Sequence, residues 1–538
     1  MPSVAEFLIE RLGNSGIKHI FGVPGDYLSE FIGNLSQNEK IKFVSNTDEN
    51  HAGFAADAYA RANGIGCVCA TYSVGALKLC NSIAGAYAEK SPVVVISGSP
   101  GIKERNEDLM LHHVLESFDN QHKIFSHITC CSVVLDNSTT AGWKIDNALE
   151  MLRHNKQPIY IELPRDVASQ PIKYDVYTQG TPVEQKSDPE SLKEAMDETI
   201  NWIKNSKTPV IIAGVQITRF GLDESLVRFA EKNNIPIVTT LLSKSSINEN
   251  HELFAGVYCG NQTSQECVRK LVDDSDCLLV LGEMLTEMLS GFQTPKFTKQ
   301  QTIFCSTEGL KIKNHIYNGV KFTDFCKDLF KIDLGKKEKI TLEKKESKVF
   351  IPVNGALITV DRFFEKINNI LNEKMAVVAD IGESLFGATR LNVHHHQFIS
   401  PAFYCSMGLA IPGALGFQMA KPNIRPIVLV GDGAFQMSVS EISTILQHKL
   451  NPIIFVLNNK GYATEKNILN IFIRDWSYHK VSDMMGGGFG YKVETEDQLE
   501  ESISLSLKNK VLSVINVCLD PVSVSLGLKS VINSTTIR

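Results

Sequence analysis

Two apolar runs, residues 427–430 and 453–457, stop on Gly431-Asp432-Gly433 and on Asn458-Asn459-Lys460-Gly461, and this pairing limits the possible folds more than any other feature. Between them Ile442, Ile445, Leu446 and Leu450 recur near helical spacing. The stretch predicts a strand–helix–strand unit with parallel strands and a right-handed crossover. Parallel neighbours end on one edge of the sheet, where open α/β sheets bind ligands. Oxygen ligands gather there: the Asp432 carboxylate, the Asn459 amide oxygen 27 residues later, and the backbone carbonyl of Gly461. Mg2+ takes a few protein oxygens and completes its octahedron with water and phosphate. Gly431 and Gly433 allow close backbone approach, and N–H groups at a helix start hold an anion. These residues describe a magnesium–diphosphate site. Gly-Asp-Gly alone fits an ordinary strand-end turn equally well, and the following Asn-Asn separates the two readings.

Gly-Asp-Gly with Asn-Asn at this distance resembles the cofactor motif of thiamine diphosphate (ThDP) enzymes. The continuation Gly461-Tyr462-Ala463-Thr464-Glu465 resembles the 2-oxo acid decarboxylases among them. The resemblance implies Mg2+ held by Asp432, Asn459 and Gly461, and a ThDP cradle including Gly431, Gly433 and Tyr462. It also implies that Glu465 takes part in the chemistry.

A chain of 538 residues is too long for one core, and three or four domains are expected. With 43% hydrophobic and 21% charged residues it has an ordinary globular composition. A net charge of −6 and the lack of a Lys/Arg cluster argue against nucleic acid. No apolar stretch reaches the roughly 18–20 residues that span a bilayer, and the first residues read as an amphipathic helix rather than a signal peptide. The 12 cysteines show no metal spacing and are expected to be reduced, in a cytoplasmic enzyme.

Strand and helix patterns alternate along the chain, which predicts α/β architecture. Asp26 stands at the tip of Gly22-Val23-Pro24-Gly25, where it also suits the cap of the helix beginning near Leu28. Glu49 sits at the start of a helix rich in small residues, where a carboxylate is ordinarily stabilised. By resemblance, the pattern from Glu49 to Arg61 matches the pyrimidine-binding domain, and Glu49 takes the position that bonds the aminopyrimidine N1′. His112-His113 has no third ligand at metal spacing and reads from residues as a solvated pair. The resemblance gives the pair a role in proton handling and substrate orientation, which suits groups titrating near neutrality. The triplet His394-His395-His396 lies in a polar connector and is expected to be a solvated loop. Met407 matches the apolar wedge beneath the thiazolium, although a Met there also suits core filling. The middle of the chain lacks G-x-G-x-x-G, so NAD is not expected.

The expected fold is three doubly wound parallel-sheet domains: pyrimidine-binding (1–170), central (190–335) and diphosphate-binding (353–538), with linkers at 184–190 and 336–348. The resemblance implies decarboxylation of a small-molecule 2-oxo acid to an aldehyde and CO2 through a ThDP ylide and enamine, with Asp26, Glu49, His112, His113 and Glu465 as catalytic groups. Thr464, Leu385 and Ile468 would line the substrate pocket. Thr464 and Leu385 stand where pyruvate-selective relatives carry bulkier residues, so an aromatic, indolic or branched substrate is expected, with pyruvate second. The family's site spans two subunits, which implies a homodimer at minimum and points to a homotetramer. A carboligase of the acetolactate synthase type and a catalytically silent relative that keeps the fold are the rivals.

Overall fold

The computed structural model describes residues 1–106, 110–172, 186–263, 265–287, 297–338, 340, 349–462, 473–525, 527–529 and 532. Thr464, Glu465 and Ile468 lie outside these residues, as do parts of both expected linkers.

The first sheet contains β1 (His19–Gly22), β2 (Lys42–Ser45), β3 (Gly66–Ala70), β4 (Val93–Ser99), β5 (Cys131–Val134) and β6 (Ile159–Pro164). It has six parallel strands in the order β2-β1-β3-β4-β6-β5. Its inner strands are mostly apolar, and β3 and β4 are buried at every residue, as expected of a parallel sheet covered on both faces. The chain enters through the helix Val4–Asn14, fixed by a reciprocal capping box between Ser3 and Glu6.

The second sheet contains β7 (Pro209–Ala213), β8 (Ile237–Thr239), β9 (Phe254–Val257), β10 (Cys277–Leu281), β11 (Thr302–Ser306), β12 (Gly309–Ile312) and β13 (His315–Tyr317). Its order is β13-β12-β11-β10-β7-β8-β9. It departs from the expected parallel form at one edge, where β12 runs antiparallel to both β11 and β13. Only residues 307–308 join β11 to β12, and so short a connection can make only an antiparallel pair.

The third sheet contains β14 (Met375–Ala379), β15 (Phe398–Ile399), β16 (Arg425–Gly431), β17 (Ile453–Asn458), β18 (Phe489–Val493) and β19 (Ser513–Cys518). All six strands are parallel, in the order β15-β14-β16-β17-β19-β18. The expected single helix between β16 and β17 is broken into Asp432–Ser438, a 3-10 turn Val439–Glu441, and Ile442–Gln447.

One core cluster spans the first and third sheets. Its seam is the helix Glu49–Asn63 packed on the helix Ala410–Ala420. A Cβ at Gly416 would come 1.9 Å from the Ala55 carbonyl oxygen, so only glycine permits this approach. Arg61 is buried at the seam between Asp57 (2.8 Å) and Glu89 (2.7 Å), and Glu89 also accepts the N–H groups of Phe403 and Tyr404, both at 2.8 Å. Elsewhere, Glu249 accepts the Val393 N–H at 3.1 Å and bonds Lys244, fully buried, at 2.8 Å. All twelve cysteines are free thiols. Among the described residues no helix is long and apolar enough to cross a membrane.

Candidate active site

The first and third sheets each reverse their winding beside their first strand. In the first, β2 lies to one side of β1 and β3 to the other; in the third, β15 and β16 flank β14 in the same way. Such switch points leave a crevice outside the carboxyl ends of the strands. Among the described residues, the expected catalytic and cofactor-binding groups lie at or beside these two edges.

Asp26 follows β1 and opens the 3-10 turn Asp26–Leu28. Its carboxylate is used away from the following helix: His112 Nε2 meets Asp26 Oδ2 at 2.6 Å. Burial works against the ionised form, but the His112 bond and the Tyr27 N–H outweigh it and hold the Asp26 carboxyl below its usual value. The His112 ring stacks on Tyr27 at 4.8 Å, and the Tyr27 hydroxyl donates to the His112 carbonyl at 3.1 Å. His113 stands edge-on to His112 with ring centroids 4.7 Å apart. The pair is exposed to solvent at His112, as the residues alone suggest, but its two rings are held together and against Asp26. The segment is a turn, and His113 adopts φ 68°, which swings its ring to the same side as its neighbour's.

Glu49 begins the helix Glu49–Asn63, whose N-cap is Asp48. It is 9% exposed. Its Oε2 pairs with Lys78 Nζ at 2.8 Å, and Lys78 also bonds Asp48. Its other oxygen faces Gly75, where a Cβ would come within 2.9 Å. Sequence reasoning missed Lys78; its one signal is a lysine interrupting the small, apolar stretch after β3. It also missed Glu441, a fully buried carboxylate that accepts from Asn46 Nδ2 and Thr47 Oγ1, each at 2.8 Å. His51 lies 3.3 Å from Glu441; burial disfavours the imidazolium, but Glu441 outweighs that and raises the His51 pKa.

At the other edge Asp432 follows β16 and is 1% exposed. Its oxygens accept the N–H of Gly433 at 2.8 Å and of Gly461 at 3.0 Å. Burial pushes its carboxyl up to about 6 despite those bonds. A Cβ at Gly433 would strike the Tyr462 ring at 2.3 Å, whereas one at Gly431 would meet nothing within 4 Å. The glycines thus let Tyr462 lie on the helix start and leave room beside Asp432. Of the Asn pair, Asn458 is engaged with Asp475 at 3.0 Å, while Asn459 is buried just beyond β17. Asp380, at the end of β14, is a further residue the sequence reading passed over. It accepts the N–H of Gly408 (3.1 Å), Ala410 (3.0 Å) and Ile381 (3.0 Å), and so fixes the turn after Met407. Met407 is partly buried against the shared core.

Leu385 is fully buried with Leu241, Phe386, Ala402 and Leu528, in a core cluster rather than at the surface of a pocket. Among the described residues no hydrogen bond or ion pair joins Asp26, Glu49, His112 or His113 to Asp432 or Met407. The chain holds two separate half-sites.

Three family models match along the chain. They are the N-terminal thiamine pyrophosphate (TPP) binding domain of the thiamine pyrophosphate enzymes at residues 2–124, their central domain at 196–322, and their C-terminal TPP binding domain at 380–517. A probable pyruvate decarboxylase of Schizosaccharomyces pombe is 30% identical over 521 residues, covering 94% of this chain and 91% of the relative. The chain belongs to the ThDP-dependent 2-oxo acid decarboxylase family. The indole-3-pyruvate decarboxylase of Azospirillum brasilense is 29% identical, covering 93% of this chain and 92% of its own. The alpha-keto-acid decarboxylase of Mycobacterium leprae is also 29% identical, over 94% and 91%. Each half-site of this ThDP enzyme falls within or beside a matched TPP-binding domain. A buried carboxylate bonded by backbone N–H groups, next to open space and a helix start, suits a cation–diphosphate pair.

Proposed function

We propose that this ThDP enzyme converts a 2-oxo acid to an aldehyde and CO2, with an aromatic, indolic or branched substrate preferred. The three sheets would act as domains bounded at 1–170, 190–335 and 353–538. The observation that carries the site assignment is the 2.6 Å contact between Asp26 and His112, with His113 against it, at the switch point of the first sheet. Bound ThDP supplies the electron sink that makes loss of CO2 accessible. Asp432, the Asn459 side chain and the Gly461 carbonyl would hold Mg2+, with the N–H groups of Gly431–Gly433 facing the diphosphate and Tyr462 flanking it. Glu49 would accept a hydrogen bond from the aminopyrimidine and set its tautomer, with Lys78 as counter-charge. Met407, fixed through Asp380 and Gly408, would hold the cofactor's two rings in their bent relation. Asp26, His112, His113 and Glu465 would orient the substrate carboxylate and deliver the proton that completes the aldehyde. Interacting acids and imidazoles of this kind titrate as a set, not singly.

Substrate size rests on Thr464 and Ile468, because Leu385 is a core residue of this chain. Pyruvate is the second reading, favoured by that burial of Leu385. Because no bond joins Asp26, Glu49, His112 or His113 to Asp432 or Met407 among the described residues, we infer that each complete site takes one half from each of two chains, in a homodimer at minimum and a homotetramer by the family pattern. Val74 beside the Glu49 half-site and Met437 at the end of the Asp432 helix are exposed, as such an interface requires. Aldehyde release from pyruvate, phenylpyruvate, indolepyruvate and a branched 2-oxo acid, with Mg2+ and ThDP, tests the proposal. A strong pyruvate preference would overturn the size assignment, and no aldehyde from any of them would overturn the activity. A yellow flavin-bearing protein that joins two 2-oxo acids would favour the carboligase rival.

A further inference from the structure

The triplet His394-His395-His396 is not the solvated loop its composition suggests. Asp223, first residue of the helix Asp223–Asn233 beside the second sheet, is 5% exposed, and two of these histidines reach it from the connection leading into β15 of the third. Both imidazoles present Nε2 to one oxygen: His395 lies 2.5 Å and His396 3.0 Å from Asp223 Oδ2. Consecutive side chains in an extended segment point to opposite sides. Here His396 adopts φ 59°, held by its N–H bond to the Ser245 carbonyl at 2.9 Å, and the two ring centroids close to 3.8 Å. One ligand atom from each of the three residues falls within 4.8 Å of the other two. Burial works against an ionised Asp223, but the two imidazoles outweigh it and hold its carboxyl far below the carboxylate range.

We propose that Asp223, His395 and His396 form a site for a borderline divalent metal ion of the Zn2+ or Co2+ kind, bridging the second-sheet and third-sheet parts of the chain. Two imidazole nitrogens and one carboxylate oxygen suit such ions, whereas Mg2+ prefers the all-oxygen set proposed around Asp432. Binding requires a lone pair at each Nε2. The protons now shared with Asp223 therefore move to Nδ1 or leave to solvent, and the cation takes their place between the rings and the carboxylate. The histidine side chains are 37% and 36% exposed, so water can fill the remaining positions and the ion can enter.

The test uses the full chain loaded with Mg2+ and ThDP and titrated with CoCl2, since Co2+ absorption reports nitrogen ligation. The expected result is one equivalent of Co2+ with visible bands, displaced by Zn2+. The double variant His395→Asn/His396→Asn should bind that equivalent at least about 10-fold more weakly while keeping Mg2+-dependent activity. Equal Co2+ binding by parent and double variant would overturn the proposal. So would a parent without the bands, which would leave the three residues as a hydrogen-bonded clamp only. If the double variant does not fold, His395→Asn alone serves with the same two readings, because its ring is partly in solvent.

Discussion

Replacing Glu89 by Gln should loosen the joint between the first and third sheets and, through it, the cofactor site. The Glu89 carboxylate takes one bond from Arg61 Nη2 at 2.7 Å on Oε2 and two on Oε1, from the N–H groups of Phe403 and Tyr404 at 2.8 Å each. An amide has one acceptor oxygen. Turned towards Phe403 and Tyr404, it sets its NH2 against the guanidinium, donor facing donor; turned the other way, it strands two backbone N–H groups. Breaking a buried charge pair typically costs about 3–5 kcal/mol. Arg61 keeps its two-pronged contact with Asp57, at 3.0 and 2.8 Å, so the lower end applies, about 3 kcal/mol. For a domain of roughly 150–250 residues this lowers the unfolding temperature by about 6–12 °C. Tyr404 stands three residues before Met407, so ThDP affinity should fall as well. Calorimetry of cofactor-free protein reads the first effect, and fluorescence titration with ThDP at fixed Mg2+ reads the second. If both match the parent protein, the joint does not position the Met407 turn.

Glu49→Gln should cut turnover by about 10²-fold or more while Mg2+ and ThDP still bind, as measured by titration beside steady-state assays; substantial turnover would remove Glu49 from cofactor activation. Gly433→Ala puts a Cβ 2.3 Å from the Tyr462 ring, and an overpacking cost of about 1–3 kcal/mol should weaken ThDP binding about 10-fold; unchanged affinity would show that Tyr462 yields freely. Glu283 is buried, accepts the Thr240 hydroxyl at 2.8 Å, and burial pushes its carboxyl up to about 7. A carboxyl raised on folding contributes stability that is full below about pH 4 and lost as pH rises through its folded value. Glu283→Gln should therefore match the parent near pH 4.5 and exceed it above pH 7, by an amount on the order of 3 kcal/mol. Denaturant melts across that range check this, and parallel stability profiles would refute it.

The strands and their glycine-rich ends were legible because apolar runs bounded by Gly, Asp and Asn have few other meanings. β16 and β17 lie where the runs around Asp432 and Asn459 place them. What stayed hidden is long-range pairing between polar groups. Glu441 meets Asn46 from 395 residues away, and Glu89 meets Phe403 from 314; no local pattern marks either partner. Asp26 shows the limit from the other side. Locally it suits a helix cap, and only the approach of His112 assigns its carboxylate elsewhere. The ring-to-ring contacts of the two histidine clusters stayed hidden for a common reason. His113 and His396 take left-handed backbone that non-glycine residues seldom adopt, which brings adjacent rings together.

The two buried aspartates of the third edge show why the half-sites differ in chemistry. Asp380 and Asp432 are both pushed up to about 6 by burial. Asp380 spends its oxygens on three backbone N–H groups around a turn and has a structural task. Asp432 accepts the N–H groups of Gly433 and Gly461, beside Gly431, where an added Cβ would meet nothing within 4 Å. A carboxylate in that position gains most from a cation, and a cation there in turn favours a phosphate at the adjoining helix start. The first edge brings partners of its own, Lys78 against Glu49 at 2.8 Å and His112 against Asp26 at 2.6 Å. On the proposed reading, the Asp432 edge holds the charged cofactor and the Asp26 edge handles protons. The helices behind the two edges, Glu49–Asn63 and Ala410–Ala420, are packed through a contact only glycine allows, so any shift of one edge against the other within the chain disturbs that packing.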